Sequence, residues 1–522
     1  MTLLVFIGAL IPRLATAGTF ITIDEALWMR RSERFSDALT SFNLKGMSAS
    51  FGEPATMPGV PTMWLGSIGR LFWGIGKSIG LIDDTLPFGE SYKALAVAQV
   101  VVCFATAALI ALLFYLIRRW LGFRAAVLTA VLFAFEPWIV GLGSILHVDD
   151  LSALFGTIAL VCTAMALGLP EAVPGLDKTK TALLAGAMMA GALLTKVSSL
   201  GFAFGVAVLV GYGAFLAFRR GGRQSPELVR IAKMCGYALA TLIAVTVVAW
   251  PALVVDPSTQ IDALRTSTGL RSAGHPEFLL GELGFSRLFY LINVPFRLTP
   301  WGLLFLVIGV VAAVAQRKTR GLAIALIVGI APTVYELSTA TKRFPRYAVL
   351  FLFPLFVVSA LGSTWPSLRI GKIPRRAITA VGAFALVYAL FVAPYGLAYF
   401  NPALGGSKTA LKNVPVGWGE GLDLAGERIK ELAGGSCAKV TTQVGTPRLG
   451  QTPYEDLHWP CMQPASDGRS TYFVYYVSEL QKATPLEKRI ATRGRTFVES
   501  VPLRGIEYAE IWILDPEDES NE

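Results

Sequence analysis

Eleven long apolar runs punctuate this chain, at about residues 2–18, 94–117, 124–142, 150–168, 181–196, 199–218, 232–252, 300–315, 321–338, 347–363 and 377–395. A helix needs roughly 20 apolar residues to cross the hydrocarbon core of a bilayer, and every backbone polar group must then be satisfied within the segment. Runs of this length and number admit one architecture: a polytopic α-helical membrane protein of about eleven spans. The composition agrees, because 54% of the 522 residues are hydrophobic and only 16% charged. That is too little polar surface for a soluble chain of this size. The first run carries Arg13 and no small-residue cleavage site, so it reads as a span, not a removable leader. It is short for a span, so either the helix extends through Gly18 or the chain begins a little upstream.

The net charge of +10 would in another context point to nucleic acid. Its placement points elsewhere. Cations gather in alternate loops: Arg118, Arg119 and Arg124; Lys178 and Lys180; residues 219–233; Arg317, Lys318 and Arg320; Arg369, Lys372, Arg375 and Arg376. The positive-inside rule puts these loops in the cytoplasm, and no nucleic-acid partner is expected. Trp120, Trp138, Trp250, Trp301 and Trp365 fall at predicted span ends, where an amphipathic ring suits the interface. An odd span number then gives a cytoplasmic N-terminus and an extracytoplasmic C-terminus at the plasma membrane.

Three larger pieces fall outside: 19–93, 253–299 and 396–522. In the first, Trp64, Leu65, Ile68, Leu71, Phe72, Ile75 and Ile79 recur at helical spacing. This predicts an amphipathic helix, either lying in the interface or packed on the bundle. The last piece changes character. "LDLAGERIKELAGG" reads as a helix closed by glycines, and "AKVTTQV", "STYFVYYV" and "EYAEIWIL" as strands. The expected organisation is a transmembrane module over 1–395 and a small extracytoplasmic α/β domain over 396–522. Cys103, Cys162 and Cys235 sit in spans as small apolar groups. Cys437 and Cys461 lie outside, where an oxidising compartment favours a disulfide over two buried thiols.

No phosphate-cradling glycine loop, CxxC pair or HExxH helix occurs. The unusual polar residues sit instead on the predicted outer side: all three histidines (His147, His275 and His458), Asp24, Glu25, Asp149, Asp150, Lys196, Lys342, Arg343 and Arg346. Ionisable groups beside hydrocarbon are costly and need a partner or a task. "TIDE" at 22–25 fits a capping box with Thr22 as N-cap and Glu25 at N3. That accounts for Glu25 and leaves Asp24 over, so Asp24 is the first candidate for a catalytic carboxylate and Glu25 the second. In "LHVDDL", one aspartate is expected to cap the following helix; Asp149 is taken to face the site, with His147 beside it as a ligand for metal or phosphate. "KRFPRY" supplies Lys342, Arg343, Arg346 and Tyr347. A forked guanidinium there suits a phosphate, the alternative being anchorage to lipid headgroups. Lys196 reads as a snorkelling span-end lysine.

Taken together these segments resemble a known family. "TIDEALWMRRS" is similar to the Asp-Glu motif of the GT-C glycosyltransferases, particularly the protein O-mannosyltransferases and the aminoarabinose transferase of lipid A. "MPGVPTMWLG" resembles the Pro-Gly segment that follows it. "GHPEFLLGE" resembles the second large outer loop, which brings His275 in as a substrate-binding candidate. "KRFPRYAVLFLFP" resembles the K-x-x-R-Y stretch, and "YFNPALGG…VGWGEGLDLAGERIKEL" the join to the C-terminal domain. The chain departs in its short first span and in His147-Val-Asp-Asp, where an Arg commonly precedes the Asp. Beyond about residue 433 no likeness is recognised.

The resemblance implies a polyprenyl-phosphate-linked sugar as donor, an inverting transfer at the outer face, and a protein, lipid or glycan hydroxyl as acceptor. One carboxylate suffices as base, because no glycosyl-enzyme intermediate forms. Cations stabilise the departing phosphate; a divalent metal is possible, with Asp149 and His147 as candidate ligands. Two other classes compete: a transporter or flippase of a lipid-linked sugar, and a membrane scaffold whose C-terminal domain binds a partner. Transporters place charges near the bilayer midplane, often in repeated halves. Here no repeat is seen and the acids lie at one surface.

Overall fold

The computed structural model describes residues 1–48, 58–270, 276–364, 375–435, 438–443, 462–464 and 471–514. His275, Cys437, Cys461, His458 and Trp365 lie outside the described residues.

Each of the eleven apolar runs carries a helix. The first half of the chain contains α1 (Thr2–Leu14), α2 (Glu25–Thr40), α3 (Val60–Ser78), α4 (Tyr92–Leu121), α5 (Phe123–Ala134), α6 (Pro137–Leu142), α7 (Asp149–Leu167), α8 (Lys178–Thr195), α9 (Leu200–Gly221) and α10 (Pro226–Ala249). After α11 (Ala252–Val255), α12 (Pro257–Leu270) and a β1–β2 hairpin (Glu277–Leu279, Glu282–Gly284) come α13 (Phe289–Arg297), α14 (Pro300–Ala315), α15 (Arg317–Thr339), α16 (Val349–Gly362) and α17 (Arg375–Val392). Six of the described helices are long and apolar enough to cross a membrane alone, those at α4, α7, α9, α10, α15 and α16, or seven if α17 and the turn bent against it form one span. The other predicted spans are shorter or more polar. α1 has 13 residues and stops at Leu14, not at Gly18, while α5 has 12 and α14 has 16.

The run 124–142 is broken in two. Pro137 lacks an N–H and disfavours helical backbone in the residue before it, so Glu136 turns extended (φ −66°, ψ 118°) between α5 and α6. Its buried carboxylate accepts from the N–H (2.9 Å) and hydroxyl (2.6 Å) of Thr299, the residue that starts α14. Elsewhere helices meet through small residues. A Cβ on Gly186 of α8 would lie 2.0 Å from the Ala238 carbonyl oxygen of α10, and one on Gly362 of α16 would lie 1.9 Å from that of Gly309 on α14. Close backbone approach of this kind is how helices associate where water supplies no hydrophobic drive.

α3 packs on the bundle, the second of the two readings, and keeps an apolar face outward. One face packs on α2 and α4, with Gly66 beside Ser32 and Gly69 beside Ala98. The other leaves Leu71, Phe72, Ile75 and Ile79 exposed.

The C-terminal part comprises α18 (Gly406–Asn413), α19 (Leu422–Leu432), β3 (Ala438–Gln443), β4 (Met462–Pro464), β5 (Tyr472–Tyr476), α20 (Val477–Leu480), α21 (Pro485–Ala491), β6 (Arg495–Leu503) and β7 (Ile506–Leu514). The sheet order is β4-β3-β5-β7-β6. β3 runs parallel to β4 and β5, and β7 antiparallel to β5 and β6. The expected α19, β3, β5 and β7 are present; β4 and β6 were not foreseen. A glycine-rich strap, residues 417–421, joins this part to the bundle. Gly419 (φ +124°) passes so close to the chain before α2 that a Cβ would sit 2.0 Å from the Ile21 carbonyl oxygen, and the Ile23 N–H donates to the Trp418 carbonyl. The Tyr395 hydroxyl donates to Asp423 (2.5 Å) and adds a second tie.

Candidate active site

The start of α2 separates its two carboxylates by direction. Glu25 is fully buried. One of its oxygens accepts from the Thr22 N–H (2.8 Å) and hydroxyl (3.0 Å), the other from Gln99 of α4 (2.9 Å) and the Leu146 N–H (2.8 Å). Four donors on one carboxylate make it a staple between α2, α4 and the 143–148 turn. It reaches back to Thr22 as the capping box requires, yet the helix begins later than that motif implies: Asp24 is the N-cap residue, and its side chain makes no cap bond. Burial pushes the Glu25 carboxyl above its usual range, against the pull of these donors. Glu25 lines neither of the two cavities described below.

Asp24 points the other way. Its Oδ2 accepts from Arg346 Nη2 at 2.9 Å and lies 3.4 Å from His147 Nε2. A third of the side chain remains exposed. Burial alone would raise its pKa, but Arg346 and His147 outweigh this and hold it at about 2. Arg346 also places Nε 3.2 Å from Asp149 Oδ2, so one guanidinium bridges two carboxylates. Its plane is set by Trp418 and Phe344, each with its ring centroid 4.2 Å away. Cation–π contacts of this sort fix a fork in one orientation.

Asp149, on the first turn of α7, is buried with Lys196, whose ammonium bonds to Asp149 Oδ1. The Lys196 ammonium also lies 3.7 Å from the Tyr347 ring centroid. Lys196 is therefore not a snorkelling lysine; at 1% exposure it is the buried counter-charge of Asp149. Neither Asp149 nor Asp150 caps α7 through its side chain; the N-cap is Val148, and both acids sit in the first turn, where the helix dipole favours them. His147 spans the cluster, with Nε2 toward Asp24 and Nδ1 3.3 Å from Asp149 Oδ2. Burial would lower its pKa, but Asp149 and Asp24 together raise it. Among the described residues no group of three or more His, Cys, Asp or Glu side chains is arranged to hold a metal ion. Of the candidate ligands, Asp149 faces His147, Lys196 and Arg346, and His147 faces Asp149 and Asp24.

Two cavities open on this cluster. The larger, about 480 Å³, is lined by Asp24, Trp28, Arg31, His147, Lys342 and Tyr347, among others. The smaller, about 240 Å³, lies between the bundle and the C-terminal part. Asp24, Phe344 and Arg346 line both and so form their common wall. Of the four predicted residues at 342–347, Lys342, Arg346 and Tyr347 reach the larger cavity. Arg343 does not: it donates to the Ser338 carbonyl (3.1 and 3.3 Å) and its guanidinium lies against Phe285. Arg31 was missed, although Asp24, Trp28 and Arg31 fall at i, i+4 and i+7 on one helix face. Trp418 and Glu479 were missed too, because only tertiary folding brings them here.

The fold agrees with the one the resemblance implied. The fold is similar to that of ArnT from Cupriavidus metallidurans in the apo state, with a TM-score of 0.53, 16% identity and coverage of 98% of this chain and 97% of that one. It is similar also to ArnT of the same organism bound to undecaprenyl phosphate, with a TM-score of 0.51, 15% identity and the same coverage. Residues 82–255, a third of the chain, match the family model of dolichyl-phosphate-mannose-protein mannosyltransferase, a stretch that holds His147, Asp149 and Lys196. No curated protein sequence matches the chain.

Proposed function

We propose that this chain is an inverting glycosyltransferase that moves a sugar from a polyprenyl-phosphate donor to an acceptor hydroxyl at the outer face of the membrane. One observation carries the proposal: Asp24 and Arg346 stand in the wall shared by two cavities, so a carboxylate and a guanidinium face two substrates at once. Undecaprenyl phosphate bound to ArnT and the dolichyl-phosphate-mannose family match support the donor class. The larger cavity, with Arg31, Lys342 and Arg346 on its walls, is the donor side.

Asp24 takes the proton of the acceptor hydroxyl as its oxygen attacks the anomeric carbon. The bond from that carbon to the phosphate oxygen breaks, and polyprenyl phosphate leaves carrying the electron pair. Arg346 and Lys342 stabilise its growing charge. A single displacement inverts the anomeric centre, and Asp24 then passes its proton to solvent. Asp149, Lys196 and His147 hold Arg346 and Asp24 in register, acting through them and not on the sugar. On this reading residues 1–395 form the catalytic module and 396–522 the extracytoplasmic domain. The outer placement is supported by the basic turns near Arg118, Lys178, Arg220 and Lys318, which close the ends of α4, α8, α9 and α15 remote from the cluster.

Asp24→Asn removes the base and keeps the shape. Turnover of a polyprenyl-phosphate sugar by the full chain in nanodiscs should fall by about 100-fold or more, with the same thermal midpoint to within a few degrees. Full activity in that variant would remove Asp24 from the reaction.

A further inference from the structure

We propose that the smaller cavity is the acceptor site and that it takes the hydroxyl of an uncharged carbohydrate, in preference to a phosphorylated acceptor or a peptide. The proposal rests on the glycosyl-transfer reading above and adds the acceptor's chemistry to it. The first argument is charge. Glu277, Glu420 and Glu479 line this cavity together with Asp24, and all three glutamates are at least nine-tenths buried. An ionised carboxylate only accepts hydrogen bonds. It pairs with the donating hydroxyls of a sugar and repels a phosphate, which has only acceptors to offer. Arg297, a cation on this wall, is already committed: its two Nη atoms donate to the carbonyls of Leu397 and Pro415 at 2.8 Å, and it stacks on Phe400. Arg346 and Lys482 also line the smaller cavity, which has four carboxylates (Asp24, Glu277, Glu420 and Glu479) against three cations. The larger has three cations (Arg31, Lys342 and Arg346) against two carboxylates (Asp24 and Glu336). Carboxylates are in excess on one side of the shared wall and cations on the other, which favours hydroxyls in the first and an anion in the second.

Shape gives the second argument. Trp138 and Trp418 contribute indole surface to the smaller cavity, and a flat apolar face with polar groups around it matches the C–H face and hydroxyl rim of a pyranose. At about 240 Å³ the space suits a ring better than an extended peptide, which binds along a groove or a strand edge through its backbone. Ser478 and Glu479 enter from α20, directly after β5. The C-terminal part thus reads the acceptor, while the bundle holds the donor.

The test uses the full chain in nanodiscs and saturation-transfer NMR with three probes: neutral methyl pyranosides, the corresponding sugar 6-phosphates, and Ser/Thr tripeptides. Saturable binding is expected from the neutral glycosides alone. Ser478→Trp, which fills the cavity without removing a charge, should abolish it. Glu479→Gln should weaken it by about tenfold, the scale of one charged hydrogen bond. Sugar phosphates or peptides displaced by Ser478→Trp, or glycoside binding untouched by that variant, would overturn the assignment. Polyprenyl phosphate titrated into the same samples separates the two readings. If it binds wild type and Ser478→Trp alike while glycosides give no signal, only the acceptor assignment fails. If it does not bind wild type, the glycosyl-transfer reading fails, and this proposal with it.

Discussion

At the scale of single residues, the cluster's charges are coupled, and their pH responses have opposite signs. Asp24 is depressed to about 2 from an ordinary 3.8. Its pairing therefore stabilises the fold fully above the ordinary value and is lost only as pH falls through the folded one. His147 is raised, so its contribution is complete below the ordinary histidine value and is lost as pH rises through the folded one. The thermal midpoint of the wild-type chain should decline as pH is raised from about 6.5, and His147→Gln should flatten that slope. Equal slopes in the two proteins would show that His147 does not bridge the carboxylates. Lys196→Met leaves Asp149 buried without its partner and should cost about 3–5 kcal/mol. The double variant with Asp149→Leu should recover part of that loss, and a cycle with no coupling would contradict the buried pair. These residues differed in legibility. Asp24 stood out because the helix-start pattern used up Glu25. Lys196 was misread because a lysine at a span end looks the same whether it reaches for water or for an aspartate 47 residues away in sequence. Arg343 and Arg346 look alike in "KRFPR"; the short 3₁₀ turn Pro345–Ala348 turns one to the cavities and leaves the other on a helix-end carbonyl.

At the scale of elements, the bundle depends on a few polar anchors inside apolar helices. Glu136 is the clearest, since it holds both donors of Thr299 where α14 begins. Glu136→Ala should leave the Thr299 N–H buried without its acceptor and cost about 1–3 kcal/mol, read as a lower thermal midpoint with Asp24 chemistry still measurable. An unchanged midpoint would mean that α14 is anchored by other means. The helices themselves were plain in the sequence, since apolar length is a one-dimensional property. The break between α5 and α6 was not drawn, although Glu136-Pro137 signals it. β6 was overlooked because Glu499, Ser500 and Pro502 mask its alternation, and its pairing to β7 carries two register shifts.

At the scale of the whole molecule, the site belongs to two parts that meet at one wall. The basic turns and the charged cluster lie at opposite ends of α7, α8, α9 and α15. Cysteines introduced at Leu81 and Arg223 should therefore be labelled from opposite sides of the membrane by an impermeant maleimide; labelling of both from one side would reject the proposed orientation. The cavities were invisible from sequence, since their walls draw on residues from Ile23 to Lys482.

The ion pair in that wall has a consequence for when the carboxylate becomes basic. While Arg346 grips Asp24, a water molecule reaching the smaller cavity meets a carboxylate that has no appetite for its proton. A phosphate arriving beside Arg346 competes for the same guanidinium, loosens the grip and restores the basicity of Asp24. On the proposed reading the donor would thus arm its own reaction, and Asp24 would become basic only while a sugar is in place to receive the acceptor's oxygen.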